Sequence, residues 1–276
     1  MDHIDLPTQQ LSMDAIAPGI QGLRIAFVNV FGIGHADGSW TLVDAGLPLS
    51  ETLIRNWAEK HFTPRPNAIV LTHGHFDHVS AAKALAERWD VPIFAHEFEF
   101  PYLTGKQQYP PPHPDVGGGL MSLLSPMYPR GPVDLGTRLH QLPATGSAPA
   151  ELPELPGWQV LHTPGHTPGH VSFFRPPDRM LLVGDAFCTT KPESFFEAAL
   201  AQHPELHGPP AYFTWDWDLA RRSVEQLAAL RPTVVAPGHG KSISSVELPD
   251  ALQKLAAHFD EVATPKKRRA RASAST

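Results

Sequence analysis

Histidine and aspartate side chains are concentrated in one short segment of this 276-residue chain. Imidazole and carboxylate groups together are ligands for zinc, manganese or iron, and the absence of a thiolate argues against a structural zinc knot. Gly74 lets the backbone turn sharply between two of these groups. The segment 72–78 therefore predicts a metal site, with three imidazoles and one carboxylate as ligands: His73, His75, Asp77 and His78.

Three more candidate ligands each follow the end of an apolar run. His166 lies at the apex of a Gly- and Pro-framed turn, Asp185 follows the run 180–183, and His239 follows the run 233–236. Ligand sites in α/β sheets gather at the ends of strands. Four strand ends can therefore converge on one place and bring all seven ligands together.

Seven ligands are too many for one tetrahedral zinc ion, but they are enough for two metal ions bridged by one carboxylate. Two divalent ions carry four positive charges, which Asp77 and Asp185 offset only in part. The remaining charge favours a bridging hydroxide, which is the nucleophile of a hydrolase. We expect two divalent metal ions, zinc first, with manganese or iron as alternatives.

The elements that position these ligands alternate in type along the chain, which indicates an α/β fold. Apolar and β-branched runs predict strands over 23–30, 40–44, 68–72, 92–95, 158–162, 171–174, 180–183 and 233–236. Amphipathic or alanine-rich segments predict helices over 51–61, 80–89, 218–230 and 248–262.

Two long segments interrupt this pattern, near 97–157 and 188–215, and the first is rich in proline and glycine. Loops of this length in a compact domain are usually functional or disordered. We interpret them as insertions, with a short helix near 120–124 in the first. The chain is expected to form a single domain over 1–264, followed by a basic disordered tail over 265–276.

Composition and charge exclude several classes of protein. The single cysteine, Cys188, cannot form a disulfide within the chain, and no signal-like or membrane-spanning segment is recognised. Without the five basic residues of the tail, the formal charge of −6 becomes −11, which argues against nucleic-acid binding. The sequence predicts a cytoplasmic protein that acts on a small molecule, with neither nucleic acid nor membrane as partner. It does not predict the oligomeric state.

The order of these motifs strongly resembles the metallo-β-lactamase superfamily, and within it the glyoxalase II and lactonase-like hydrolases. The motifs run His-Gly-His-Phe-Asp-His, Thr-Pro-Gly-His-Thr, Gly-Asp and Pro-Gly-His-Gly, and 43–46 matches an early aspartate-containing motif. The resemblance extends over about 23–240. It implies an αββα four-layer sandwich in which two sheets pack between helices.

The resemblance also implies a division of the ligands between two metal ions. One ion would take His73, His75 and His166, and the second would take Asp77, His78 and His239. Asp185 would bridge the two ions. Asp44 would orient ligands from behind, and His170 would lie near the ligand set but outside it.

The expected reaction is hydrolysis of an ester, a thioester or a lactone of a small molecule by a metal-bridging hydroxide. Asp77 is the candidate catalytic residue, because it can orient the hydroxide and then carry its proton. Known lactonases of this type have a tyrosine just after the bridging aspartate, where this chain has 186–189 Ala-Phe-Cys-Thr. No basic cluster resembles a glutathione-binding set either. The substrate therefore stays open.

Other activities are known on the same fold. Mononuclear iron persulfide dioxygenases use two histidines and one aspartate, which would leave the other ligands idle here. A nuclease is disfavoured by the acidic charge, and a β-lactam hydrolase by the lack of an export signal. A non-catalytic relative would be expected to have lost ligands, whereas this chain has all seven.

Two further features are open to more than one interpretation. Cys188 is close to Asp185 in sequence, but a buried small apolar side chain is the favoured interpretation. Aromatic and methionine side chains in the two insertions form either a lid over the site or anchors for the loops: Tyr102, Tyr109, Met121, Met127, Tyr128, Phe195, Phe196, Tyr212, Phe213, Trp215 and Trp217.

Overall fold

The structure is a computed structural model that describes residues 3–5, 9–13, 15–116, 118–143, 150–201 and 203–265. From residue 266 onwards, the predicted basic tail lies outside the described residues. No helix among the described residues is long and apolar enough to cross a membrane.

Fifteen strands are present in these ranges. In chain order they are β1 (Ile4–Asp5), β2 (Gln9–Gln10), β3 (Ile20–Ile25), β4 (Val28–Gly34), β5 (Trp40–Val43), β6 (Ala68–Val70), β7 (Ile93–Ala95), β8 (Leu139–Gln141), β9 (Ala150–Glu151), β10 (Gln159–His162), β11 (Val171–Arg175), β12 (Met180–Gly184), β13 (Glu205–Leu206), β14 (Val234–Pro237) and β15 (Ile243–Ser244).

Eight α-helices accompany the strands in the described residues. They are α1 (Glu51–His61), α2 (Phe76–Val79), α3 (Ala82–Trp89), α4 (Phe100–Leu103), α5 (Leu120–Leu124), α6 (Trp217–Ala229), α7 (Leu248–Ala257) and α8 (Phe259–Val262). The helix predicted near 120–124 is therefore present as α5.

Two sheets organise the fold. The first has the strand order β3-β4-β5-β6-β7-β8, antiparallel from β3 to β5 and parallel from β5 to β8. The second has the order β2-β15-β14-β12-β11-β10-β9 and is antiparallel except between β12 and β14. Parallel pairs place their carboxyl ends on the same edge of a sheet, which is where the candidate ligands follow.

The two sheets pack face to face through one apolar cluster. Phe31 and Val70 of the first sheet meet Val160, Phe173 and Leu182 of the second in this cluster, and all five are buried. Burying these apolar side chains between two sheets contributes about 1.5–3 kcal/mol for each large residue.

Helices cover the outer face of each sheet. Ile54 of α1 and Leu85 of α3 pack in the cluster against the first sheet. Val224 of α6 and Leu252 of α7 pack in the cluster against the second. The order helix, sheet, sheet, helix confirms the predicted αββα four-layer sandwich.

Two element predictions are wrong in detail. The strand predicted over 23–30 is a hairpin, because Ala26 adopts a φ of 55° and turns the chain between β3 and β4. Alanine rarely has positive φ, so the sequence carries no turn signal there. The helix predicted over 248–262 is interrupted at His258, where φ is −116° and ψ is 25°.

Candidate metal centre

The His-Gly-His-Phe-Asp-His segment follows strand β6 and runs into the short helix α2. His73 and His75 lie in the extended chain between the two elements, while Asp77 and His78 belong to the first turn of α2. All four side chains are buried. A strand that ends at the sheet edge and a helix that starts at once therefore direct four ligand-type groups to one point.

The other three candidate ligands come from the second sheet. His166 lies in the turn between β10 and β11, Asp185 directly follows β12, and His239 follows β14. Strands β12 and β14 are parallel, with Gly184 opposite Pro237, so Asp185 and His239 leave the sheet side by side. The sheet pairing explains why ligands distant in sequence meet.

The ligand atoms form three overlapping groups in which all atoms lie within 4.8 Å of one another. Two of the groups match the sets that the sequence resemblance implies. The groups are His73, His75 and His166; His73, His78 and Asp185; and Asp77, His78 and His239. All seven sequence-predicted residues are therefore brought together.

Asp185 lies between the two sets. Its Oδ2 atom is 3.4 Å from His166 Nε2 of the first set and 3.1 Å from His239 Nε2 of the second. Its Oδ1 atom is 3.5 Å from His78 Nε2. The carboxylate thus reaches both sets at once, which is the arrangement that a bridging ligand requires.

Several buried ligand atoms have no hydrogen-bond partner within the described part of the chain. These atoms are His73 Nε2, His78 Nε2 and Asp185 Oδ1. Buried polar atoms are normally paired, because leaving one unpaired costs about 1–3 kcal/mol. Their convergence on one point fits a metal cation as the missing partner.

The opposite ring nitrogens of two histidines are fixed by hydrogen bonds. His78 Nδ1 lies 2.8 Å from Asp44 Oδ2, and His239 Nδ1 lies 2.8 Å from the carbonyl oxygen of Phe27. In each pair the imidazole N–H donates, which leaves the Nε2 lone pair directed into the site. Metal-binding histidines are commonly oriented in this way.

The histidines of the first set have similar support. His73 Nδ1 is 3.0 Å from the hydroxyl of Thr72, and His166 Nδ1 is 3.4 Å from the hydroxyl of Thr214. His75 differs, because its Nδ1 atom faces His166 Nε2 at 2.9 Å. His73 and His166 thus direct Nε2, and His75 directs Nδ1, towards a common point.

The two ligand sets differ in the direction in which their histidine pKa values are shifted. Burial lowers the pKa of His75 to about 3 and lowers the pKa of His73 and of His166 well below the usual range. These imidazoles are therefore neutral, which is the form that binds a metal.

In the second set, nearby carboxylates determine the direction of the histidine pKa shifts. Burial alone would lower the pKa of His78 and His239, but Asp185 and other nearby carboxylates outweigh it and raise both pKa values. Burial also tends to raise the pKa of Asp185, but His239 and His78 hold it well below its ordinary value. This half of the site concentrates negative charge that a bound cation would neutralise.

Asp44 lies behind the ligands, as the resemblance implies. One of its oxygens accepts a hydrogen bond from the Thr72 N–H at 2.8 Å, and the other faces His78 Nδ1. Asp44 has a φ of 61°, a conformation that aspartate and asparagine tolerate better than most residues. It therefore links β5 to the His-Gly-His-Phe-Asp-His segment.

His170 lies near the ligands but makes a different contact. Its Nε2 atom accepts a hydrogen bond from the Asp185 N–H at 2.8 Å, and its Nδ1 atom is 3.1 Å from the Thr163 carbonyl oxygen. Burial lowers the pKa of His170 to about 4, so the ring is neutral and can accept. His170 thus holds the backbone of Asp185.

Glu99 is a residue that the sequence interpretation missed. Its carboxylate is fully buried and accepts hydrogen bonds from the backbone N–H groups of Gly74 and Gly169 and from the hydroxyls of Thr167 and Tyr109. It thereby joins the loops that carry His73, His75 and His166. Its place four residues after β7, at the carboxyl end of a parallel strand, was the available signal.

The loop aromatics divide into distinct environments. Trp217 packs against Phe259 in the helical layer, with ring centroids 6.3 Å apart. Phe213 lies 4.9 Å from the ring of His75, whereas Phe195 and Phe196 are exposed. Anchoring and site-lining roles are thus both present, in different residues.

Comparison with known families agrees with this geometry. The sequence model of the metallo-beta-lactamase superfamily matches residues 24–239, a span that contains all seven candidate ligands. This chain belongs to the metallo-β-lactamase superfamily. The superfamily implies divalent metal ions, and the gathered histidines and aspartates are candidate ligands for them.

Two individual proteins are similar to this chain over most of its length. The probable metallo-hydrolase YflN of Bacillus subtilis (strain 168) is 42% identical over 250 residues, which cover 89% of this chain and 93% of YflN. The crystal structure of TTHA1623 in a di-iron-bound form is 26% identical, with a TM-score of 0.54, and covers 81% of this chain and 92% of that one.

A third comparison concerns the fold alone. TTHA1429 from Thermus thermophilus, described as a metallo-beta-lactamase family protein, has a TM-score of 0.58 at 21% identity. The match covers 90% of this chain and 81% of that one.

Proposed function

We propose that this chain is a hydrolase that holds two divalent metal ions, zinc first, and cleaves an ester, thioester or lactone bond of a small molecule. The position of the Asp185 carboxylate, 3.4 Å from His166 and 3.1 Å from His239, carries the proposal. The name of the 42% identical YflN, a probable metallo-hydrolase, supports the hydrolytic part.

Two ions suit the donor set better than one. Under this proposal the first is held by His73, His75 and His166, and the second by Asp77, His78 and His239, with Asp185 shared. A mononuclear site of two histidines and one aspartate would leave several buried donors idle, which is costly. TTHA1623 is described in a di-iron-bound form, so iron remains an alternative to zinc and manganese.

When bound, two divalent ions make a water molecule acidic enough to lose a proton near neutral pH and polarise a substrate carbonyl. Asp77 is the carboxylate placed to receive that proton. Its side chain is 10% exposed, whereas that of Asp185 is 2% exposed, so water reaches Asp77 more readily. Its Oδ2 atom lies 3.4 Å from His239 Nε2, so the two groups face the same point of the site.

Metal content is the first test of this proposal. Protein purified without added metal is analysed for zinc, manganese and iron, and is then assayed with matched esters, thioesters and lactones. We expect about two ions per chain and hydrolysis of one of these classes. About one iron per chain, with no hydrolysis in any class, would overturn the proposal.

Asp185→Asn provides a matched variant. The amide retains the size of the side chain but removes the charge shared between the two sets, so at least one ion and most of the activity should be lost. Asp218→Asn, at an exposed aspartate in the first turn of α6, is the control and should retain both. Equal metal content in the two variants would contradict the shared role of Asp185.

A further inference from the structure

A cleft opens beside the first ligand set and is walled by four aromatic side chains together with three prolines, two threonines and His113. His75 and His166 form its base, and Tyr109, Tyr212, Phe213 and Trp215 form its walls. We call this the aromatic cleft. Because two candidate ligands line it, any molecule that reaches the metal centre from this side lies against these rings.

Hydrogen bonds to the ligand loop hold the wall of the cleft in place. The Trp215 N–H donates to the carbonyl oxygen of Gly165 at 3.0 Å, next to His166. The Ala211 N–H donates to the carboxylate of Glu193 at 2.9 Å. The segment that carries three of the four aromatic walls is thus fixed at both ends, so the cleft is preformed.

Aromatic contacts extend this wall towards the ligands. Phe213 lies 4.9 Å from the ring of His75 and 5.1 Å from the ring of Tyr212. Tyr109 also contacts His75, with ring centroids 4.6 Å apart. The imidazole of His75 therefore packs against two aromatic rings.

Among the described residues, the lining of the cleft has one imidazole besides the two candidate ligands, that of His113. Within the described part of the chain, no lysine, arginine, aspartate or glutamate side chain lines it. Two of its polar groups are already engaged, since the Thr167 hydroxyl donates to Glu99 and the Thr214 hydroxyl donates to the carbonyl oxygen of Pro210. An anionic group placed against the aromatic walls would lose water and would meet no lysine or arginine side chain of the described residues.

We propose that the aromatic cleft binds an uncharged, apolar acyl group of the substrate. The identification of this group as an acyl group rests on the proposed hydrolase function. The apolar selectivity follows from the lining of the cleft itself. An anionic acyl group, such as that of a dicarboxylic half-ester, is disfavoured because no lysine or arginine side chain of the described residues lines the walls. Aromatic faces bind flat or branched apolar groups well.

Binding of two matched amides tests the selectivity without requiring hydrolysis. Pentananilide and glutaranilic acid have acyl chains of the same length, which end in a methyl group and a carboxylate respectively. Their dissociation constants are measured by calorimetry on the metal-loaded and on the metal-free protein, so that coordination of the carboxylate by a metal ion is separated from its contact with the walls. In the metal-free protein we expect pentananilide to bind at least about 100-fold more tightly, because the walls offer the carboxylate no lysine or arginine partner.

A charge introduced at the mouth of the cleft gives the matched variant. Trp215 is 48% exposed and its backbone makes the structural hydrogen bonds, so Trp215→Arg should fold. The guanidinium group should reduce the preference for pentananilide by about tenfold or more. Val246→Arg introduces the same charge at a residue that is 91% exposed and does not line the cleft, so this control should retain the preference. Melting temperatures establish that both variants are folded.

The outcomes are distinguishable. Equal or tighter binding of glutaranilic acid to the metal-free wild-type protein overturns the cleft assignment, as does failure of both amides to bind. Failure of the proposed function appears separately, as an absence of ester, thioester and lactone hydrolysis in protein that holds two metal ions. A strong apolar preference in such a protein would retain the cleft and reject the hydrolase.

Discussion

The carboxylate of Glu99 accepts a hydrogen bond from the backbone N–H of Gly74 at 3.0 Å, between the two histidines of the His-Gly-His sequence. Its other oxygen accepts from the Gly169 N–H at 2.6 Å and the Thr167 hydroxyl at 2.8 Å. One buried side chain therefore fixes the two loops that carry His73, His75 and His166. Such supporting groups set the orientation of ligands and hence metal affinity.

Glu99→Gln should weaken binding of the first metal ion by about 10–100-fold. The NH2 group of glutamine would face a backbone N–H that now donates to the Glu99 carboxylate. Two donors cannot pair, so one loop must move. Metal titration, with cobalt as a spectroscopic probe, measures the affinity of each site. Glu97→Gln, in the same 3₁₀ turn, is the control and should leave the spectrum unchanged. Identical titrations for the two variants would contradict the positioning role.

Asp44→Asn should weaken the second metal ion rather than the first. Asp44 Oδ2 receives the His78 Nδ1 proton, and an amide nitrogen in that place could not accept it. Asparagine tolerates the φ of 61° at this position, so backbone strain is not added. The expected loss of affinity is about 10–100-fold, measured by the same titration. A selective loss at the site of His73, His75 and His166 would show that the assignment of sets is wrong.

Gly238→Ala should displace the carboxylate of Asp185 directly. A Cβ atom at Gly238 would lie 2.2 Å from Asp185 Oδ1 and 2.8 Å from His78 Cε1, so Asp185 must move. We expect the metal content to fall from two ions to one or none, as measured by elemental analysis. Gly34→Ala is the control, since its nearest contacts would be 3.6 and 3.7 Å away, ordinary van der Waals distances. Two retained ions in Gly238→Ala would argue against bridging by Asp185.

Cys188 should be unreactive in the folded protein. Burial raises the pKa of its thiol well above the usual value, and the nearby charges of Asp185 and Glu193 raise it further. Because the thiolate is the reactive form and the pKa is raised, the thiol stays protonated at about pH 8. A disulfide reagent such as dithionitrobenzoate should react at least about 100-fold more slowly with native than with denatured protein. Rapid reaction of native protein, or loss of hydrolysis in Cys188→Ala, would indicate a chemical role for this residue.

The sequence by itself determined the candidate ligand set, because its signals are local. His73, His75, Asp77 and His78 lie within six residues, and the other ligands each follow a strand or a framed turn. Short apolar runs also located most strands to within a few residues, since burial on both faces leaves few polar positions. Helix α1 was predicted at its observed bounds, Glu51–His61.

Only the tertiary structure decided how these local pieces combine. Asp185 reaches both ligand sets because β12 pairs in parallel with β14, and Glu99 meets Thr167 across 68 residues of sequence. The hairpin at Ala26 likewise depends on a positive φ, which an alanine in the sequence does not predict. Contacts between distant segments follow from sheet pairing and packing, which no local pattern encodes. The candidate ligand residues are therefore present in short sequence motifs. The groups that support them and the aromatic cleft depend on the fold.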